Sequence, residues 1–409
     1  MKIAICHTDF RIYWPPRLAA LAEFLGKNNS SLHVIEIAGK GSPYAFAGKS
    51  AHVIFPCPWT CLFPEKRMED VSPRVASTRL YEMLDAVSPD IVIAGAIAFP
   101  SGATAVRWAR QKRRPVIIMD DARLKDVPRS ALVNWVKRRI YANVDALFTS
   151  AASHISDYKY WGVPENKMFF SVNVVDNSFF TVRSDIARQN AAKIREKYSL
   201  PKHFFLGVGR QIPKKNWGTL IEAFCAVVRE TINDEWGLVL VGDGSEATLL
   251  KKIVDKSNAN ILFLPFQDQE TICQLYGLAE CFVLPSIYGE TWGNVINEAM
   301  ASHLPIIISR ECGCADTLVR EEYNGWHFDP YNQEQLTQIL GRFMQLREEE
   351  RKQIGERSFE IISDWGLDRF YKSAWQAIQF CRNIPVHGYA SPLVDRLILN
   401  LWKGRYRPV

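Results

Sequence analysis

Phe282-Val283-Leu284-Pro285-Ser286-Ile287-Tyr288-Gly289-Glu290-Thr291-Trp292-Gly293-Asn294-Val295-Ile296-Asn297-Glu298-Ala299-Met300-Ala301 reads as a strand, a glycine-bearing loop and a helix in succession. The apolar run ends at Pro285, glycines punctuate the loop, and apolar residues recur with helical spacing from Val295 onward. A strand that feeds a helix in this way belongs to a parallel sheet covered by helices, and such sheets bind ligands at the carboxyl ends of their strands. Gly293 and Asn294 stand where the helix should begin. Backbone N–H groups and the helix dipole there attract a phosphate, and glycines at 289 and 293 let a ligand approach the backbone. Glu298 falls among Val295, Ile296, Ala299 and Met300, where a carboxylate needs donors, and ribose hydroxyls would supply them. The plainer alternative makes Glu290 a solvated loop residue and Glu298 a local cap or ion-pair partner.

A second strand-to-loop unit lies upstream in Phe205-Leu206-Gly207-Val208-Gly209-Arg210-Gln211-Ile212-Pro213-Lys214-Lys215-Asn216-Trp217. It presents Arg210 and Lys215 beside a glycine turn and ahead of a helix expected over Leu220–Val228. A guanidinium and an ammonium placed so can neutralise a departing diphosphate, although two surface charges would give the same pattern.

Working outward, β-branched runs alternate with amphipathic stretches along the whole chain. Ile3–Cys6, Leu32–Ile37, Ile91–Ala94, Val116–Met119 and Ala146–Thr149 read as one set of strands. After a polar passage from Arg183 to Leu200, the runs Phe204–Val208, Gly237–Val241, Ile261–Leu264, Cys281–Leu284 and Pro305–Ile308 read as another. This alternation predicts two doubly wound α/β domains with a ligand cleft between them. Helical patterns over Ser363–Arg382 and Leu393–Trp402 are expected to close the structure. The expected division is 1–182 for the first domain, 183–371 for the second, and about 372–409 returning to the first.

A chain of 409 residues exceeds one ordinary core, and 47% apolar with 23% charged residues is the balance of a globular protein without a membrane span. The N-terminus begins directly on a strand-like run, so secretion is not expected and a cytoplasmic location is. Nine cysteines, scattered and partly within apolar runs, fit reduced thiols. The net charge of +6 is uneven, since residues 1–180 carry 23 Lys and Arg against 16 Asp and Glu. The clusters Arg110-Gln111-Lys112-Arg113-Arg114 and Lys137-Arg138-Arg139 could meet anionic lipid or an acidic acceptor, or could be solvated helix faces. The aromatic, proline-rich segment Pro56–Pro64 could likewise face a lipid or simply pack as a loop.

Taken together, Gly209-Arg210…Lys215-Asn216 and Glu290…Glu298 resemble the retaining glycosyltransferases of family 4, whose GT-B fold sets two Rossmann-like domains across a cleft. The resemblance extends through Val241-Gly242-Asp243-Gly244, Leu264-Pro265-Phe266 and Tyr323–Pro330, and so over most of 204–381. It implies that Arg210 and Lys215 hold the donor diphosphate, and that Glu298 holds the ribose. It places Glu290 with the amides of Thr291, Trp292, Gly293, Asn294 and Val295 on the sugar and phosphates. Phe266 and its neighbours would border the base, and Gly209 and Asp243 would belong to the donor-binding set. Glu290 is cast as positioning and electrostatic rather than as a nucleophile.

The N-terminal half matches the family more loosely, and two departures stand out. Asp9–Pro16 has no glycine where the family has a glycine-rich loop. Asp120-Asp121 stands where many members have a histidine, and Asp121 is the expected substitute. The resulting expectation is a retaining hexosyltransferase. It would move a sugar from a UDP- or GDP-sugar to a glycan, glycolipid or other hydroxyl acceptor, in polysaccharide or glycoconjugate assembly at the inner face of the membrane.

No resident cofactor is expected. Metal independence is expected from the missing Asp-x-Asp, and no nucleic-acid partner is foreseen. A GT-B epimerase or a silent nucleotide-sugar-binding member are the alternatives. The nicotinamide fingerprint is incomplete at Ile212, and no phosphate-binding GxxxxGK[ST] loop occurs.

Overall fold

The computed structural model describes residues 1–40, 56–231 and 235–405. The chain divides into two compact units: Met1–Leu124 with Pro128–Val174 and Leu367–Val409, and Val175–Gly366 with the short piece Lys125–Val127.

The first unit runs β1 (Lys2–His7), α1 (Trp14–Lys27), β2 (Ser31–Ala38), β3 (Trp59–Phe63), α2 (Pro73–Val87), β4 (Ile91–Ala94), α3 (Pro100–Lys112), β5 (Val116–Met119), α4 (Ala131–Tyr141), β6 (Ala146–Thr149), α5 (Ile155–Tyr160) and β7 (Met168–Phe170). The second runs α6 (Asn177–Gln189), α7 (Ala191–Tyr198), β8 (His203–Val208), α8 (Trp217–Thr231), β9 (Trp236–Val241), α9 (Ala247–Val254), β10 (Ile261–Leu264), α10 (Gln269–Leu278), β11 (Cys281–Leu284), α11 (Asn294–Ala301), β12 (Ile306–Ser309), α12 (Ala315–Leu318), β13 (Gly325–Phe328), α13 (Gln333–Gln345) and α14 (Glu348–Ser363). The chain then returns to the first unit as α15 (Leu367–Asn383) and α16 (Val394–Leu401).

Among the described residues, the first unit holds a seven-stranded sheet ordered β3-β2-β1-β4-β5-β6-β7, and the second a six-stranded sheet ordered β10-β9-β8-β11-β12-β13. Every described pairing in both is parallel. In β1 the period of two sorts the side chains between faces. Ile3 and Ile5 join the core under α1 and α15, with Leu18, Leu21 and Phe370. Ala4 and Cys6 join the core under α2, α3, α4 and α16, with Leu80, Trp108 and Leu399. Both faces are covered, so apolar strand runs follow, as in parallel sheets generally.

Three expectations change. The polar passage from Arg183 to Leu200 forms most of α6 and α7, and α6 is fastened within the second unit. The Thr181 hydroxyl donates to Ala301 O (2.7 Å) and that of Ser184 to Ser302 Oγ (2.9 Å). The first boundary therefore falls at 174/175 rather than 182/183, and the second at 366/367, where Phe370 of α15 already packs on Phe148 of β6 (5.4 Å). Residues 406–409 of the expected closing segment lie outside the described residues. The Pro56–Pro64 segment contains the edge strand β3, paired with β2 through Val34 and Trp59. Its prolines flank the pairing, the position an edge strand tolerates.

The basic clusters are largely spent inside the first unit. Arg110 pairs with buried Asp145, Lys112 with Asp85 (2.9 Å) and Arg114 with Asp90 (3.3 Å). Lys137 lies 3.3 Å from the Trp161 ring centroid, and burial lowers its ammonium to about 8. Arg138 donates to Tyr160 O (2.8 Å), and Arg139 pairs with Asp395 (2.6 Å). The nine cysteines are free thiols. No described helix is long and apolar enough to cross a membrane.

Candidate functional site

The second unit gathers the conspicuous residues at the carboxyl ends of β8, β9 and β11. The loop after β9 is pressed onto the loop after β8. Gly209 N–H donates to Val241 O (2.9 Å), Gln211 N–H to Asp243 O (2.9 Å) and Gln211 Nε2 to Gly242 O (2.8 Å). Gly242 has φ +135°, and a Cβ there would stand 2.2 Å from Gly209 O; only glycine fits. Arg210, half-buried, leaves this clamp with its carbonyl held by Trp217 Nε1 (2.9 Å). Asn216, at φ +56°, turns the chain from a short helical turn at Pro213–Lys215 into α8, a left-handed position that asparagine tolerates better than most residues.

That turn points Lys215 inward. Its Nζ donates to Glu290 Oε2, and Ser286 Oγ donates to the same carboxylate oxygen (3.1 Å). The side chains are only 10% and 15% exposed. Burial pushes the Glu290 carboxyl upward, but the Lys215 charge and hydrogen bond, helped by Lys214 and Ser286, outweigh it and leave the group below its ordinary value. Lys214 Nζ donates to Gly289 O (3.1 Å), while Ile287 N–H donates to Lys214 O (2.9 Å). Burial lowers the Lys214 ammonium; the Glu290 charge opposes this, and the Lys215 and Arg210 charges reinforce it. Asp126 accepts from Gly289 N–H (3.2 Å) and its charge also opposes the lowering of Lys214, so among the described residues three cations and two carboxylates share one corner.

The start of α11 forms the adjoining wall. Gly293 precedes it at φ +107°, and no side chain caps the helix. Asn294 Oδ1 is buried and without a hydrogen-bond partner among the described residues. The 290–292 backbone is braced from behind, since Gly313 N–H donates to Glu290 O (2.9 Å) and Cys314 N–H to Trp292 O (3.2 Å). A Cβ on Gly313 would lie 1.8 Å from Thr291 O. The Trp292 side chain is 2% exposed, donates to Asn297 Oδ1 (2.9 Å) and lies tilted against Trp365 (ring centroids 5.4 Å). What Trp292 offers a ligand is therefore backbone; its indole holds the loop to α11.

Glu298 is buried on α11 and accepts from the Tyr276 hydroxyl (2.8 Å), so an internal donor already meets part of its demand. Asp243 Oδ2 accepts from Phe266 N–H (2.8 Å), which holds the Phe266 backbone just after β10, and the residue is 36% exposed. Val295 faces the same wall, and its carbonyl receives a long hydroxyl contact from Tyr276 (3.4 Å). Lys214, Ser286, Tyr276 and Gly313 were not singled out from the sequence. Only Lys214 carried a signal, by its place beside Lys215.

Asp121 belongs to the first unit and not to this cluster. It accepts from Asn173 Nδ2 (2.9 Å) and its charge reaches His7 and Arg17. Arg17, buried on α1, grips Val174 O. Burial lowers its guanidinium to about 10, with Tyr13 and Asp121 opposing. His7, at the end of β1, is the imidazole that the Asp121 charge reaches, and its Nδ1 contacts Asp9 O (3.0 Å). Gly95 makes room for it, because a Cβ there would meet His7 Cδ2 at 2.7 Å. Among the described residues, no three His, Cys, Asp or Glu side chains converge as a metal site.

Residues 190–360 match the family model described as glycosyl transferases group 1. An uncharacterised glycosyltransferase of Methanocaldococcus jannaschii is 26% identical over 216 residues, 51% of this chain and 48% of the relative. The serotype-specific mannosyltransferase WbdA of Escherichia coli is 24% identical over 215 residues, 49% of this chain and 24% of that one. The chain thus spans about half the archaeal relative and a quarter of the bacterial one. Anabaena HepE, crystallised with UDP and glucose, superposes with a TM-score of 0.72 at 18% identity, over 93% of this chain and 99% of HepE. The chain has the two-domain α/β GT-B fold, and its residues 190–360 match the glycosyl transferases group 1.

Proposed function

We propose that this protein is a glycosyltransferase that moves a sugar from a nucleoside diphosphate sugar to a hydroxyl acceptor, with retention at the anomeric carbon and without a metal. The observation that carries the reading is the corner where Arg210, Lys214 and Lys215 meet Glu290 beside the uncapped start of α11. In the transfer, the bond from the anomeric carbon to the diphosphate oxygen breaks and negative charge grows on the leaving phosphate. Arg210, Lys215 and the α11 amides stabilise that charge, the work a metal ion does elsewhere. The acceptor oxygen attacks from the face the phosphate leaves, and its proton passes to a phosphate oxygen. Glu290 holds Lys215 and positions the sugar. Glu298 and Tyr276 meet the ribose, Phe266 borders the base, and Asn294 Oδ1 is available to a sugar hydroxyl.

The UDP and glucose held by Anabaena HepE support a UDP-sugar as donor, with a GDP-sugar as the other candidate. That a Salmonella typhimurium relative is named a lipopolysaccharide 1,2-N-acetylglucosaminetransferase supports a glycan or glycolipid acceptor, recognised by the first unit around His7, Arg17 and Asp121. We place the enzyme in the cytoplasm, at the inner face of the membrane. Calorimetric titration of UDP, GDP and ADP into the metal-free wild type and Arg210→Ala tests the reading. Selective binding of one nucleotide, weakened in the variant, is expected; failure of all three to bind overturns it.

A further inference from the structure

The last helix of the first unit is amphipathic in a way its fold does not use. One side of α16 is spent internally: Leu399 is fully buried, Asp395 holds Arg139 of α4, and Trp402 just beyond the helix donates to Ile97 O (2.7 Å). The opposite side carries Leu393, Leu397 and Leu401 at 86%, 61% and 72% exposure. Their spacing of four puts them in one row along the helix. On α4, which Arg139 ties to α16, Leu132 and Trp135 are also exposed. Isolated exposed leucines need no explanation, but a row of three along one helix does.

The solvent-facing charges on α16 and just past it have one sign. Arg396 projects from α16, and Lys403 and Arg405 follow it. Arg74 and Arg107 stand close enough for their charges, after burial, to lower the Lys403 ammonium. None of these five cations is ion-paired with a carboxylate among the described residues, in contrast to Arg110, Lys112, Arg114 and Arg139. An apolar row bordered by unneutralised cations matches the boundary of an anionic bilayer, where leucines enter the acyl region and cations meet headgroup phosphates. A soluble acidic partner would use the cations but not the leucines.

We infer that α16 lies in the plane of an anionic membrane surface, with the Leu393–Leu397–Leu401 row inserted and Arg396, Lys403 and Arg405 on the headgroups. This deepens the membrane-facing part of the proposed function and relocates it from the basic clusters, which are spent, to the closing helix. The backbone just past α16 also clamps the loop after β4. Arg405 N–H donates to Ala98 O (2.6 Å), and a Cβ on Gly404 would lie 2.3 Å from Phe99 C. A membrane that holds α16 therefore also holds the β4–α3 loop at the carboxyl edge of the first sheet.

Co-sedimentation with phosphatidylglycerol–phosphatidylcholine vesicles, beside pure phosphatidylcholine vesicles, tests this on the full chain. The wild type is expected to bind the anionic vesicles and to release as salt rises. Leu397→Glu/Leu401→Glu is expected to bind at least roughly tenfold more weakly. Arg396→Glu/Arg405→Glu should lose the preference for anionic lipid. Both variants should retain the wild-type far-UV spectrum and nucleotide titration, so failure here is separable from failure of the donor site. The inference is overturned if the wild type ignores anionic vesicles or if the leucine variant binds as well as wild type. It is also overturned if the wild type sediments as a dimer that the leucine variant dissociates, which would assign the row to a second copy.

Discussion

Removing one partner of the Lys215–Glu290 pair should reveal how much of the corner is held by charge. In Lys215→Met the stem still packs but the ammonium is gone, and Glu290, 15% exposed, keeps only Ser286 and the more distant Lys214. Breaking a buried pair typically costs about 3–5 kcal/mol, chiefly from the charge left behind. With a urea slope of about 2–3 kcal/mol/M, the unfolding midpoint should fall by more than about 1 M at pH 7.5.

The pH dependence gives the sharper test. In the wild type the Glu290 carboxyl lies below its ordinary value, so it stabilises the fold above the unfolded carboxyl range and loses that contribution as pH falls. In the variant, burial is nearly unopposed and the carboxyl rises, so the variant recovers as Glu290 protonates. The gap between the two proteins should therefore narrow as pH drops from 7.5 towards 5. The double variant Lys215→Met/Glu290→Gln should regain most of the lost stability at pH 7.5 while transfer stays about 100-fold or more below wild type. Urea unfolding followed by tryptophan fluorescence measures the first effect and product formation the second. A Lys215→Met midpoint within about 0.3 M of wild type and independent of pH would refute the coupling.

Other substitutions separate the remaining roles. Glu298→Ala should weaken nucleotide binding, whereas Glu290→Ala should reduce transfer more than binding; paired calorimetry and turnover assays check this, and the reverse pattern contradicts the assignment. Tyr276→Phe removes one donor to a buried carboxylate and should cost about 1.5–3 kcal/mol in stability, in nucleotide affinity or divided between them, by calorimetry and urea titration. Gly313→Ala should destabilise by more than about 2 kcal/mol and disturb the 290–292 loop, because the new Cβ meets the Thr291 carbonyl at 1.8 Å. Gly26→Ala in α1, with nothing within 4 Å, should instead stabilise by about 0.5–1 kcal/mol, and thermal melts of the two glycine variants should shift in opposite directions. Glu36, buried and pushed up to about 7 by burial, stabilises the fold while protonated and loses that contribution as pH rises through 7. Glu36→Gln should therefore gain stability at pH 8 and match wild type near pH 5, as denaturant titrations at the two pH values would read.

Much of the architecture could be read from local pattern. The runs at Ile91–Ala94, Val116–Met119, Ala146–Thr149 and Cys281–Leu284 coincide with β4, β5, β6 and β11, because strands buried on both faces need continuous apolar sequence; among the edge strands β10 alone matched its run, Ile261–Leu264. The edge strands were less legible. β3 lies among prolines and cysteines, β7 is short, and β13 was seen only as part of a motif, since an edge strand is specified by its neighbour more than by its own composition. The basic clusters misled for a related reason. A charge run says nothing of the aspartates that meet it from elsewhere in the fold, as Asp145 meets Arg110.

The sequence by itself determined two α/β domains, the strand–loop–helix units that carry Arg210, Lys215, Glu290 and Glu298, and the glycines those loops require, because each follows from spacing within one short segment. Only the tertiary structure decided that Lys215 spends its charge on Glu290, that Tyr276 answers Glu298, that the Trp292 indole is a brace, that the Asp121 charge reaches His7, and that the closing helix turns a leucine row outward. These are contacts between segments far apart in the chain, and burial, which sets the cost of each charge, exists only once those segments have packed.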